Sequence, residues 1–307
     1  NLKTPHILTQ NIAQKLVGQG FQEVMNNSIT SPAYADFSAQ LASIAKVNLL
    51  NPLGQELSQM RSSLLFSLLE VVSYNQNRQQ ADLKIYEFGK VYRATENGHQ
   101  EDRKLAIALC GNATKEAWNS SSDKADFYLL KGTLMALFAS LGVNNISEQP
   151  SEFDLFSAGI DLISRKKTIA QFGLVDAKIL GKFSIDQEVV YAEIDFATLY
   201  ELAFGKDIEV QPIPKFPSSR RDFALLIDEN IRFQELKEAA GKVDRKILTK
   251  VDLFDVYQGK NLPAGKKSYG LSFHFSDPNK TLTDKHIDKV MQKLKATFEN
   301  DFDAVLR

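Results

Sequence analysis

The chain has 307 residues, 43% hydrophobic and 24% charged, close to the soluble globular average and long enough for two domains. Its longest apolar stretch, residues 127–141, is broken by Lys131 and falls short of the ~20 residues a membrane span needs, so no membrane partner is expected. The formal net charge of −1 conceals an asymmetry: 18 basic against 14 acidic residues from 212 to 307, and 19 against 24 before that, which disposes only the tail toward an acidic partner, although such a face is commonly just solvated.

The opening NLKTPHILTQ has neither an initiator Met nor the basic-then-apolar pattern of a signal peptide, and reads as the start of a fragment cut from a longer chain. Residues 5–17 put Ile7, Leu8, Ile12, Leu16 and Val17 at helical spacing, with Gly18 and Gly20 ending the element. Residues 21–30 predict a strand closed by Ser31-Pro32, and residues 62–78 a long amphipathic helix. Strands are expected at 83–93 and 105–110, a helix at 123–141, and further strands at 155–163, 168–175 and 189–196. The run Ser164 to Lys167 between two of them reads as a solvated hairpin turn. Strands that follow one another directly fit a mainly antiparallel sheet flanked by helices.

Pro212, Pro214 and Pro217 fall within six residues, so 211–219 should be an extended linker or edge segment, and the chain is divided there into 1–211 and 212–307. Beyond it, residues 221–227 predict a strand, 233–242 a helix, and 247–256 and 268–275 two strands. Residues 283–298 predict a helix with Thr283 as N-cap and Asp284 in its first turn, and 302–306 a last short strand. That βαββαβ order is the ferredoxin-like split motif, with both helices on one sheet face and the other face free to bind. The expected fold class is therefore α+β.

Chemistry narrows by elimination. His6, His99, His274 and His286 are scattered without ligand spacing, and no metal site is expected. The chain has no Gly-x-Gly-x-x-Gly, no Gly-Lys-Ser/Thr loop and no Gly-x-Ser-x-Gly elbow. Cys110, the single cysteine, excludes an internal disulfide, reads as buried and inert, and points to a reducing, cytoplasmic location. The strand K-S-Y-G-L-S-F-H matches an RNA-recognition-motif strand only at Lys267, Tyr269 and Gly270. Tyr269, Leu271, Phe273 and Phe275 therefore read as core, with His274 on the opposite face.

Ordered runs in the tail are more specific: R-R-D-F-A-L-L-I-D from Arg220, L-F-D-V-Y-Q-G from Leu253, G-K-K-S-Y from Gly265, T-L-T-D from Thr281 and the closing Leu306-Arg307. Residues 212–307 resemble on these runs the ferredoxin-fold anticodon-binding domain of bacterial phenylalanyl-tRNA synthetase beta subunits. Residues 1–211 resemble the same subunit's class II synthetase-like core. The runs N-P-L-G-Q-E from Asn51, M-R-S-S-L-L-F-S-L-L from Met60, N-Q-N-R from Asn75 and Y-E-F-G-K-V-Y from Tyr86 carry that likeness. The resemblance implies an α2β2 ligase that charges phenylalanine tRNA using ATP and Mg2+ at the alpha subunit. In that family the beta core has lost catalysis, and this chain agrees: after Tyr92-Arg93 the acid of an F-R-x-E motif is replaced by Thr95, and no Gly-x-Gly followed by Arg occurs. No cofactor is expected within these residues. The implied partners are the alpha subunit, met through the helix, strand and proline of residues 5–32, and phenylalanine tRNA, with no DNA. The alternative is a free-standing synthetase-derived RNA-binding or regulatory protein without ligase activity.

Phenylalanine anticodons begin with guanine, whose Watson–Crick edge offers two N–H donors that one carboxylate accepts together, while an aromatic ring stacks on the base. With the family in view, Asp255 and Tyr257, two apart on one predicted strand, form the candidate guanine clamp, leaving Phe254 and Val256 to point into the core. The other reading has Asp255 capping the following turn and Tyr257 packing at the sheet edge. Arg220, Arg221, Lys266 and Lys267 are the candidate phosphate contacts, which fix position without reading sequence, and Asp222 is placed to pair with a basic neighbour.

Overall fold

In the computed structural model, which describes residues 4–52, 54–119, 122–204, 214–259 and 261–307, the chain divides into two units, Asn1–Glu209 and Val210–Arg307. Of the proline-rich linker, residues 211–213 lie outside the described residues. Helix α1 (Pro5–Gly18) starts where the Thr4 hydroxyl accepts from the Ile7 amide at 3.3 Å, with Pro5 in the first turn, where a missing N–H costs nothing. The strand expected over 21–30 is two short ones, β1 (Gln22–Glu23) and β2 (Ile29–Thr30). Between them Asn26 donates its carboxamide to Glu87 at 2.7 Å, and the Asn27 side chain accepts from the Ile29 amide at 3.0 Å; such local bonds compete with a ladder.

A 3₁₀ turn at Pro32–Phe37, α2 (Ala39–Ala42), β3 (Gln59–Met60) and α3 (Leu65–Gln76) follow. The hairpin β4 (Leu83–Thr95) and β5 (Gly98–Cys110) has the predicted outer ends at Leu83 and Cys110 and runs further than predicted toward its turn, mostly in β5. Then come α4 (Phe127–Ser140), β6 (Ser147–Pro150), β7 (Phe156–Ser164) and β8 (Lys167–Val175). The first unit ends with α5 (Ala177–Lys182), β9 (Val189–Asp195) and α6 (Phe196–Ala203). Arg165 and Lys166, at φ 50° and 65°, make the left-handed two-residue turn between β7 and β8 that matches strand twist.

These strands form a seven-stranded sheet in the order β1-β4-β5-β9-β8-β7-β6, antiparallel except where β1 joins β4. Helices cover both faces. On one, Leu105, Ile107 and Leu109 of β5 meet Leu8 and Ile12 of α1 and Leu130 and Leu134 of α4. On the other, the alternating Ala106, Ala108 and Cys110 meet Leu65, Leu68 and Leu69 of α3. One charged pair enters this second face. Arg61 lies 2.8 Å from Glu87 and donates to the Lys90 carbonyl at 3.0 Å, with Asn26 filling the other oxygen of Glu87. Gly89 makes room for it: a Cβ there would stand 2.4 Å from Arg61 Nη2 and 2.6 Å from Leu64 Cδ2.

The second unit runs β10 (Ser219–Asp228), α7 (Phe233–Val243), β11 (Leu248–Tyr257), β12 (Lys266–Phe275), α8 (Asp284–Phe302) and β13 (Val305–Leu306). Its sheet is antiparallel in the order β11-β12-β10-β13, the ferredoxin-like arrangement. Leu225, Ile227, Leu271, Phe273 and Phe275 pack against Leu236 of α7 and Ile287, Leu294 and Phe298 of α8, so both helices lie on one face. Thr283 does stand at the N-cap of α8, but its side chain makes no capping bond. The first-turn Asp284 is met instead by Arg221 at 2.5 Å.

Candidate nucleic-acid interface

The face of the second sheet turned away from α7 and α8 is set by register. On β12, Tyr269, Leu271, Phe273 and Phe275 point to the helices, so Ser268, Gly270, Ser272 and His274 point to the bare side. Opposite them on β10 lie Leu226, Ala224, Asp222 and Arg220. The edge strand β11 adds Lys250 and Asp252, paired across from His274 and Ser272.

A β-bulge then changes the pattern. Leu253 pairs with Leu271 and Asp255 with Gly270, which leaves Phe254 as the extra residue. After the bulge Asp255 and Tyr257 lie opposite Gly270 and Ser268, both on the bare side, with Val256 opposite Tyr269. Phe254 does not enter the core as the alternation predicts. It is 55% exposed, its ring sits where a Gly270 Cβ would come within 2.9 Å of it, and the Arg220 guanidinium lies 5.2 Å from its centre. Val256 is also 53% exposed, at the strand end beyond the helix cover. The signal for the bulge is the doublet Leu253-Phe254, which breaks the alternation begun by Val251 and Leu253. Phe254 is thus a third aromatic-or-acidic group beside Asp255 and Tyr257 that strict period-2 reading misses.

Among the described residues, no hydrogen bond or ion pair engages the exposed Asp255 carboxylate. Tyr257 is 41% exposed, its ring laid against the backbone of Gly259, where a Cβ would meet its hydroxyl oxygen at 2.4 Å. The other acids of this face are taken. Asp222 receives both arms of Arg220, at 2.8 and 3.1 Å, and Asp252 lies 2.8 Å from Lys250 and 3.4 Å from His274. Free acceptor and half-exposed ring therefore coincide at one end of an otherwise internally paired surface.

The four basic candidates separate. Arg220 is on the bare face, and Lys266, opposite Asp228, has the same parity. Arg221, opposite Phe273, turns toward the helix side and Asp284. Lys267 is corrected: it is 6% exposed on the helix-covered side, opposite Ile227, with its ammonium 4.5 Å from the centre of the Tyr269 ring. Adjacent strand residues point to opposite faces, so neither Arg220 and Arg221 nor Lys266 and Lys267 can act together from one surface.

Elsewhere, Cys110 is buried, and burial pushes its thiol up to about 11, which makes it unreactive at neutral pH. Arg93 donates to the Gln100 carboxamide oxygen at 3.1 and 2.8 Å and lies 3.7 Å from Asp102. Among the described residues no three His, Cys, Asp or Glu converge as a metal-holding group, and no helix is long and apolar enough to cross a membrane.

Residues 2–196 match the model of the phenylalanyl tRNA synthetase beta chain CLM domain, and residues 214–307 that of the ferredoxin-fold anticodon binding domain. The phenylalanine–tRNA ligase beta subunit of Bacteroides thetaiotaomicron is 38% identical over 96% of this chain, and that of Porphyromonas gingivalis is 35% identical over the same share. The chain spans 38% of the length of each of these curated relatives. Among solved structures, pyrrolysyl-tRNA synthetase from Desulfitobacterium hafniense superposes with a TM-score of 0.52 at 15% identity, covering 66% of this chain and 70% of that one, a likeness of fold alone.

Proposed function

Because the chain belongs to the phenylalanyl-tRNA synthetase beta chain family, we propose that it forms the partner-docking and anticodon-holding part of a cytoplasmic phenylalanine–tRNA ligase. The core unit, 1–211, assembles with the alpha subunit in an α2β2 enzyme, and the tail unit, 212–307, holds the anticodon of phenylalanine tRNA. Asp255 accepts from the two N–H groups of the first anticodon base, guanine, while Tyr257 stacks on that base. Arg220 and Lys266 contact phosphates and set position. The reading rests above all on the Asp255 carboxylate, unpaired among the described residues, beside the half-exposed Tyr257 ring on a face where Asp222 and Asp252 are paired with cations.

Charging itself belongs to the alpha subunit with ATP and Mg2+. The core's nearest counterpart of an ATP-holding arginine, Arg93, has its guanidinium committed to Gln100 and Asp102, which supports a core that assembles rather than activates.

The test is fluorescence anisotropy of a phenylalanine anticodon arm titrated with the chain, with first-base guanine against adenine at two salt concentrations. Salt-sensitive binding that prefers guanine is expected, with the preference lost in Asp255→Asn. Tight binding without base preference would remove the clamp and leave only phosphate contacts.

A further inference from the structure

A second polar site lies in the core unit, on the sheet face shared with α3, and it owes nothing to the anticodon reading. Strands β4, β5, β8 and β9 and the segments around Leu41 and Phe153 line a cleft of about 280 Å³. Its apolar walls include Phe153, Phe156 and Tyr191, with ring centres 5.1 and 6.4 Å apart in succession, and Ile44.

Glu193 lines the same cleft. Its Oε2 accepts from the Tyr191 hydroxyl at 2.7 Å, the Ser63 hydroxyl at 3.2 Å and the Leu64 amide at 3.2 Å. Among the described residues Oε1 accepts nothing. Three neutral donors hold this carboxylate in place through one oxygen, and the Lys104 ammonium acts on it only through space. Two cations are near, and both are shared: Arg93 lies 3.7 Å from Asp102, and Lys104 donates to Asp195 at 2.9 Å. Burial pulls the Lys104 ammonium down, but Glu193, Asp195 and Asp102 together hold it above the usual lysine range, so it stays charged at neutral pH. Of the charged groups lining the cleft, Arg93 and Lys104 are thus turned toward Asp102 and Asp195, and neither makes a hydrogen bond to Glu193.

A polar group lining a partly dry cavity is costly unless its hydrogen-bonding capacity is met, and the apolar packing around Glu193 does not meet it. A cavity with aromatic walls and one oriented, unfilled acceptor has the makings of a small-molecule site. We propose that this cleft binds a small primary amine with an apolar tail. The ammonium donates to Glu193 Oε1, and the tail lies against Phe153, Phe156 and Tyr191, whose π faces add attraction for the cation.

Isothermal titration calorimetry of the 307-residue chain with phenethylamine, hydrocinnamate and phenethyl alcohol tests this. The amine should bind about tenfold or more tighter than the carboxylate and the alcohol, and Glu193→Gln should weaken it by about tenfold, the scale of one charge-assisted contact. Should Glu193→Gln unfold the chain by circular dichroism, Ile44→Trp serves instead, because it fills the cleft and leaves the Glu193 hydrogen bonds intact. It should abolish the heat of amine binding. No binding of the amine, equal binding of the three probes, or amine binding untouched by Ile44→Trp would each overturn the proposal.

Discussion

In the core unit, helices cover the sheet on both sides, and one charged pair within it, Arg61 and Glu87, has side chains only 4% and 2% exposed. In the tail unit one sheet face is bare, and its best-formed pair, Arg220 and Asp222, is 51% and 45% exposed. The same pairing chemistry thus has two outcomes. A buried pair costs dearly to break, because the survivor is left in a dry site, whereas an exposed pair is screened and water replaces either partner. The bare face can therefore give its side chains to a ligand with little penalty to the fold, and the buried Arg61–Glu87 pair cannot.

Breaking the buried pair should give the largest effect. Glu87→Ala leaves Arg61 without its carboxylate and should cost about 3–5 kcal/mol in urea denaturation at pH 7; a loss no larger than that of an exposed pair would remove the contrast. Gly89→Ala presses a methyl against Arg61 and Leu64 and should cost about 1–3 kcal/mol by the same measurement. On the bare face, Tyr257→Ala should leave the denaturation midpoint nearly unchanged while weakening anticodon-arm binding by about 1–3 kcal/mol, the worth of one stacked base. The adjacent lysines sharpen the comparison within two residues. Lys266→Ala should reduce the slope of log affinity against log salt by about 1 without loss of stability. Lys267→Ala should leave that slope alone and cost about 1 kcal/mol of stability through lost packing on Tyr269. Arg220→Ala should change stability by only ~0.5 kcal/mol, since its pair with Asp222 is exposed.

The long elements were legible in the sequence because each shows one period. The stripe Leu8, Ile12, Leu16 and the alternation Tyr269, Leu271, Phe273, Phe275 both lie where that pattern puts them. Short elements such as β6, α5 and α6 are too brief for a period to declare itself. The break within 21–30 has a local cause in Asn27, whose side chain accepts from the Ile29 amide, and a hidden one in Asn26, which bonds to Glu87, sixty-one positions away. At the candidate site, the shared side of Asp255 and Tyr257 follows from their spacing. The position of Phe254 does not, because a bulge resets the parity that spacing assumes. Lys267 is a different kind of miss. Its burial follows from the alternation that places Tyr269 in the core, and its charge outweighed that pattern in the reading.

The bulge in β11 has a consequence for solubility. β11 is an outer strand of its sheet, with unpaired backbone groups along one side. A flat strand in that position is a template on which a second copy could add, the first step toward aggregation. Two register breaks, between Leu248 and Lys250 and between Leu253 and Asp255, interrupt it, and Lys250, Asp252 and Asp255 put charges along it. No stretch of regular edge longer than a few residues is left to copy, so the irregularity that turns Phe254 and Asp255 outward also keeps the strand from recruiting its own kind.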